Sequence, residues 1–402
     1  MKPALLAAAM AATLALPPAT AWAQTDGEFP VPTYEGAYQP QDSDERGLWS
    51  QDDESERQLR DADAVIRDPA LNEYVRSVLC RAVGDKRCEA VRIYIVRVPI
   101  FNASMSPNGT MRVYSGLLLR VRSEAELASV LGHEFAHFEL RHTLERYRSR
   151  RTGSDIAAWA TVLGAAAVTW GGGSSYSSRD MQVSIYGNIM HFERNQERFA
   201  DTLGFGYMAA SGYRPSAAAE VWRAVMNETD QTALDRGRRS NRYDNVAFFA
   251  SHPTNLERAD TLSALANRVV AAGDYEGRQR HETALAPHMA MFLADELARN
   301  DFGGTDFIIQ RLANENVTAP LLFARGELYR QRGHPRDLAS ATNFYHQALA
   351  LDPSLGDAWR GLGLAQLRSG NTMEGANALR TFLERVPDAP DAPMLRMMIG
   401  DQ

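Results

Sequence analysis

Lysine is almost missing from this 402-residue chain: Lys2 and Lys86 stand alone, and arginine carries the rest of the positive charge. Such a bias is compositional and assigns no chemistry. A block of like positive charge is also missing. With a net charge of −7 and no basic stretch, nothing points to nucleic-acid binding. Cysteine is confined to Cys80 and Cys88. Their C-x7-C spacing is not a zinc-ribbon pattern and no second pair exists, which excludes a cysteine-built metal site. Long apolar runs are absent too. Ala4 to Leu16 and Ile156 to Trp170 both fall short of the roughly 20 residues that span a bilayer.

What remains is the composition of a folded protein, 45% apolar and 23% charged, long enough for two ordinary domains plus tails. Residues 1–23 have the three parts of an export signal. Lys2 is followed by a weakly apolar run, and Ala21-Trp22-Ala23 fits small-x-small cleavage before Gln24. Export implies an oxidising compartment, in which Cys80 and Cys88 would close a disulfide around Val83 to Lys86. Two buried free thiols are the alternative.

Residues 24–50 are rich in Pro, Gly, Asp and Gln without an apolar period, and read as a mobile leader. From Asp52 to Ala82, apolar residues recur at steps of three and four, giving two helices that break at Asp68-Pro69. Val91 to Val96 is a strand. Asn102 to Met105 and Met111 to Tyr114 are two more, joined at Asn108-Gly109. Ser123 caps a long helix to about Arg148, and Glu126 completes a capping box. The uncharged run from Ile156 to Trp170 reads as a buried helix, or as a flap or docking surface. Helices follow near Ile189 to Gly212, Ala217 to Asn227 and Asn255 to Ala271. The fold class is therefore α+β, mainly helical, with a small β-sheet in a unit over residues 51–275.

Residues 284–402 change to paired amphipathic helices. Pro353 and Pro387 are 34 residues apart, as are Tyr345 and Leu379, and Ala341 and Gly375. That is the tetratricopeptide period, and Trp359-x2-Leu362-Gly363 fits the start of its pattern. Gly326 to Tyr329 opens an earlier unit carrying about three extra residues near His334-Pro335. Leu293 to Leu312 reads as a degenerate first copy. A plain helical bundle is the competing reading; repeats would build a concave surface for peptides or partner proteins.

The chemistry is concentrated at His133-Glu134-Phe135-Ala136-His137. On a helix, positions i and i+4 share a face, so both imidazoles can point at one metal with Glu134 beside them. The H-E-x-x-H pattern carries a mechanism: two zinc ligands, and a glutamate that takes the proton from a metal-activated water. A third protein ligand is needed. Leu140 and Thr143 stand where the metzincin extension has Gly and His, so the ligand comes from a later element. Glu197 is the first choice, with Asp201 one turn on to accept the free N–H of a ligating His; Glu193 and His191 are rivals.

Ala125 to His137 followed by Arg141-His142, and then Glu197-Arg198-Phe199-Ala200-Asp201, resembles the HtpX and CAAX-prenyl-protease type of gluzincin metallopeptidase. The resemblance covers about residues 50–270. It implies one Zn2+ per chain held by His133, His137 and Glu197, with Asp201 behind them. It also implies a substrate-aligning strand at Asn102-Ala103 and a downstream H-P motif at Ser251-His252-Pro253 with Arg258.

His252 would stabilise the oxyanion, close the metal's open position, or simply enter a helix beside Pro253. Arg258 reads as structural. His142, one turn beyond His137, reads as no ligand, because its spacing puts it off the metal-facing side. An exposed edge strand at Asn102 to Met105 would align an extended peptide. Joining an export signal and a repeat tail to this site resembles periplasmic members of the family. That likeness implies unfolded or misassembled envelope proteins as substrates, and contact with the outer-membrane protein assembly machinery through the repeats. A chaperone acting through the repeats is the competing class.

Overall fold

The computed structural model describes residues 31–151, 194–240, 255–269, 273–314 and 316–400. Residues 1–23, read above as an export signal, the Ile156 to Trp170 run, His191, Glu193 and His252 lie outside them. Among the described residues no helix is long and apolar enough to cross a membrane.

The protein is mainly helical with one four-stranded sheet. Helix α1 (Ser43–Asp61) starts inside the expected leader, because Asp42 accepts hydrogen bonds from the Asp44 and Glu45 amides. Ahead of it, the Arg87 and Arg141 guanidiniums lie over the Tyr34 and Tyr38 rings, so this stretch is held rather than loose. Strand β1 (Val65–Ile66) is too short for any period to announce it. Helix α2 (Pro69–Val83) begins at the Asp68-Pro69 break, with Asp68 capping the Leu71 amide. Short α3 (Asp85–Cys88) follows, and a Cys80–Cys88 disulfide ties it to α2.

Strands β2 (Arg92–Val96), β3 (Ala103–Met105) and β4 (Thr110–Tyr114) complete the sheet in the order β1-β2-β4-β3. β2 and β4 pair in parallel; the outer pairs are antiparallel. Gly109, at φ 89°, turns the β3–β4 hairpin where an added Cβ would meet the Ala90 carbonyl. β3 is the edge strand, but the expected exposure is corrected: Asn102, Ala103, Ser104 and Met105 are all buried.

After α4 (Ser115–Arg120) comes α5 (Glu124–Glu139), which packs against α2, β3 and two later helices, α7 (Arg194–Ala210) and α8 (Ala217–Asp235). Ser123 caps α5 by accepting from the Glu126 amide. The Glu126 carboxylate reaches back to the Arg122 amide, one residue further than a capping box requires. The single long helix expected here is two. Arg141 takes φ 57°, and α6 (His142–Arg151) sets off in a new direction.

Helices α9 (Asn255–Ala266), α10 (Arg278–Leu285), α11 (Met289–Leu297) and α12 (Phe302–Ala313) follow. Then come the hairpins α13 (Ala319–Arg332) with α14 (Pro335–Leu351), and α15 (Gly356–Arg368) with α16 (Thr372–Arg385), closed by α17 (Ala392–Ile399). The three extra residues lengthen α14 at its start, making it 17 residues against 14 for α16. Gly326 and Gly361 leave room for the buried Tyr345 ring, which an added Cβ at either would strike. One apolar core runs from Leu71 to Leu328. α10 to α13 therefore continue the first unit, and a separate core begins only with Leu322, Ala341 and Tyr345.

Candidate metal centre

α5 packs against α7, α8 and the sheet, and His133, Glu134 and His137 are buried polar residues in its second half. Burying two imidazoles and a carboxyl costs free energy unless each finds a partner. The partners come from α7, which crosses α5 closely where Gly132 and Gly204 face each other. Glu197, fully buried in the first turn of α7, presents its two oxygens at 3.4 Å, Oε2 to His133 Nε2 and Oε1 to His137 Nε2. The two Nε2 atoms are 3.1 Å apart.

These separations test whether a metal fits. A zinc ion bound tetrahedrally at about 2.0–2.1 Å keeps its ligand atoms about 3.3 Å from one another. The Nε2–Nε2 edge of 3.1 Å is close to that spacing, and each Nε2 has its own Glu197 oxygen at 3.4 Å, so two imidazoles and one carboxylate face a common position. Among the described residues, His133, His137 and Glu197 form the cluster able to hold a metal ion.

Asp201, one turn along α7, lies 2.9 Å from His133 Nδ1. Its carboxylate is gripped by Arg258 of α9, whose Nε donates at 3.0 Å and whose Nη2 donates to the other oxygen. The Arg258 guanidinium rests 3.8 Å over the Trp222 ring of α8 and also touches the His133 ring. Three helices thus converge on one histidine.

The electrostatics follow from this burial. Glu134 is pushed up to about 7, chiefly by desolvation, and Glu197 adds to the effect. His137 falls to about 3, again by desolvation. Desolvation and Arg258 both oppose a charge on His133, yet its hydrogen bonds to Asp201 and Glu197 raise it to about 9. Asp201 stays lowered because Arg258 and His133 outweigh its burial. Asp201 and Glu197 together favour a positive charge at this buried cluster, which a metal ion held by His133, His137 and Glu197 would supply.

A family model for peptidase family M48 matches residues 66–266, half of the chain. The chain belongs to peptidase family M48. A Vibrio cholerae protein bearing the beta-barrel assembly-enhancing protease name is 32% identical over 176 residues, 43% of this chain and 36% of its own. The mitochondrial metalloendopeptidase OMA1 of Schizosaccharomyces pombe is 28% identical over 187 residues, 46% of this chain and 50% of its own. The metalloprotease LoiP of Escherichia coli is 26% identical over 210 residues, 51% of this chain and 75% of its own. The chain thus spans about a third and a half of the first two relatives' lengths.

Within this M48 unit the structure brings together His133, Glu134, His137, Glu197 and Asp201. Asn102 and Ala103 are not part of the cleft that His137 lines; from β3 it is Met105 that enters it. Leu48 and Trp49 of α1 line the same cleft. Two residues of the centre were not assigned to it by spacing. Arg258 is linked to the metal donors through Asp201, which could be foreseen only as charge complementarity to a buried acid. His142 is the other: its Nδ1 lies 2.9 Å from His137 Nδ1.

Proposed function

We propose that the chain is a zinc-dependent endopeptidase of the cell envelope, exported by residues 1–23, that cleaves misfolded or misassembled outer-membrane proteins. The observation that carries the enzymatic part is the buried cluster of His133, His137 and Glu197, whose donor atoms all lie within 4.8 Å of one another, with Glu134 beside it on the same helix. The substrate class rests on the name of the Vibrio relative and on the sequence signs of export.

His133, His137 and Glu197 would hold the ion. Zinc bound there supplies Lewis-acid activation of a water and of the scissile carbonyl. Glu134, raised by burial to near neutrality, takes the proton of the attacking water and returns it to the leaving amine. Asp201 accepts from His133 Nδ1 and keeps that ring's Nε2 free for the ion. Arg258 fixes Asp201 in turn. β3 is the strand to which an extended substrate adds, and because its residues are buried the substrate displaces whatever covers them.

Glu134→Gln keeps the ligand set and removes the base. One zinc per chain is expected to remain, while cleavage of a disordered protein falls by about 10²–10⁴-fold. Undiminished cleavage by this variant ends the assignment.

A second reading, a chaperone or assembly factor working through tetratricopeptide repeats, is favoured by the hairpins α13 to α16. Met373 of α16 and Met394 and Met397 of α17 are exposed. Full rescue of an envelope defect by Glu134→Gln would favour it over proteolysis.

A further inference from the structure

His133 and His137 turn their Nε2 atoms toward each other and toward Glu197, so both Nδ1 atoms face away from the metal position. An imidazole that gives Nε2 to a metal carries its proton on Nδ1, and that N–H needs an acceptor. For His133 the acceptor is the Asp201 carboxylate. For His137 the neighbour is an imidazole. The atom 2.9 Å from its Nδ1 is Nδ1 of His142, with the rings 5.0 Å apart and nearly perpendicular.

Two ring nitrogens at that distance share a single proton: one donates and the other accepts. Metal on Nε2 obliges His137 to donate. His142 then accepts through Nδ1 and carries its own proton on Nε2. We propose that His142 is a positioning residue for the metal centre, fixing the tautomer and the rotation of His137. This rests on the zinc reading given above.

The backbone is built for that contact. On an uninterrupted helix, His142 would be five positions past His137 and would face elsewhere. The left-handed Arg141, φ 57°, ends α5 and turns the first residue of α6 back against the His137 ring, where it is buried. A non-glycine residue held in that conformation costs free energy that the surrounding contacts must offset. The outcome is an unequal pair, with an anionic acceptor behind His133 and a neutral one behind His137. A carboxylate partner raises ligand basicity more than an imidazole does, so His137 is the weaker donor of the two.

The test is zinc affinity of the full chain, read by competition with a chromogenic chelator. His142→Phe keeps a ring but cannot accept, and is expected to weaken zinc binding about 10–100-fold. His142→Asn places its amide oxygen where Nδ1 was, and is expected to stay close to the wild-type value. Circular dichroism and melting of each variant report on folding. A folded His142→Phe that binds zinc like wild type overturns the proposal, and so does a folded His142→Asn as weak as His142→Phe. Should His142→Phe not fold, nitrogen-15 shifts of labelled histidine in the zinc-loaded wild type decide. An unprotonated Nδ1 on His142 supports the proposal and a protonated one overturns it. A wild-type chain that takes up no zinc removes the zinc reading and this proposal together; failure of the variants alone removes only the latter.

Discussion

Asp201 answers to two partners at once, His133 Nδ1 on one side and the Arg258 fork on the other, and all three groups are almost wholly buried. Asp201→Asn leaves the shape nearly unchanged but removes the charge that holds Arg258 and strengthens His133 as a ligand. Zinc affinity is expected to fall about 10–100-fold, measured by chelator competition, with the metal still at one per chain when saturating. Affinity equal to wild type would mean that His133 is oriented by packing alone. At this scale the sequence is readable where local geometry does the work. A helix converts a spacing of four into a shared face, which makes His133 and His137 legible with Glu134 between them. Local pattern favours Glu197 over Glu193 and His191 only through Asp201 one turn on; the family motif strengthens that choice. Arg258 and His142 stay hidden for opposite reasons. Arg258 acts across a contact between distant helices, and His142 depends on a break in the helix that neither glycine nor proline announces.

The elements that carry the donors are α5 and α7, and their separation is set by glycine. An added Cβ on Gly204 would lie 2.7 Å from the His133 amide nitrogen and 2.8 Å from His133 Cα, whereas one on Gly132 would come only to 3.2 Å of the Gly204 carbonyl oxygen. Both obstacles are backbone, so relief requires moving a helix. Gly204→Ala is expected to push α7 off α5 and carry Glu197 away from the two histidines. Overpacking of this kind costs about 1–3 kcal/mol, seen as a lower melting temperature, and zinc affinity falls with it. Gly132→Ala, with more room, should show the same two effects at smaller size. If Gly204→Ala binds zinc unchanged, the close crossing does not set the ligand geometry. The helices themselves are legible as apolar residues at steps of three and four, β2 as a short β-branched run, and β3 and β4 as the two segments flanking Asn108-Gly109. β1 is not, because two residues have no period. The burial of β3 is not either, because an edge strand's covering comes from elsewhere in the chain.

For the whole molecule, the change of pattern near residue 284 does not coincide with a change of core. Phe292, Leu293, Ile308, Ile309 and Leu321 are part of the same buried cluster as Leu127, Leu131 and Phe135 of the metal-bearing helix. Charges cross the same line. Arg120, 5% exposed at its side chain, pairs with the fully buried Glu296 at 2.9 Å; Arg311 donates at 2.9 Å to Glu126 in the first turn of α5. Ending the chain near residue 280 would strip Arg120 of Glu296 and Glu126 of Arg311. Arg120 keeps Glu228 and Glu126 keeps Arg122, so the main cost is the uncovered side of the shared apolar core, about 1.5–3 kcal/mol for each large apolar side chain exposed. That truncation is expected to give an unfolded or insoluble chain with neither zinc nor activity. It therefore cannot separate proteolysis from partner binding. Ending the chain after Leu351 is different. It removes α15 to α17, uncovers the apolar side of α14 around Tyr345, and leaves the core from Leu71 to Leu328 intact. This shorter chain is expected to keep one zinc and to cleave a disordered protein at close to the full-length rate, while losing any activity that needs the last hairpin. A fold by circular dichroism, a zinc count and a cleavage rate on the two truncations decide it. If the chain ending near 280 proves folded and active, the continuity of the core is energetically unimportant. If the chain ending at Leu351 is folded but loses cleavage of disordered protein, the last hairpin takes part in proteolysis itself.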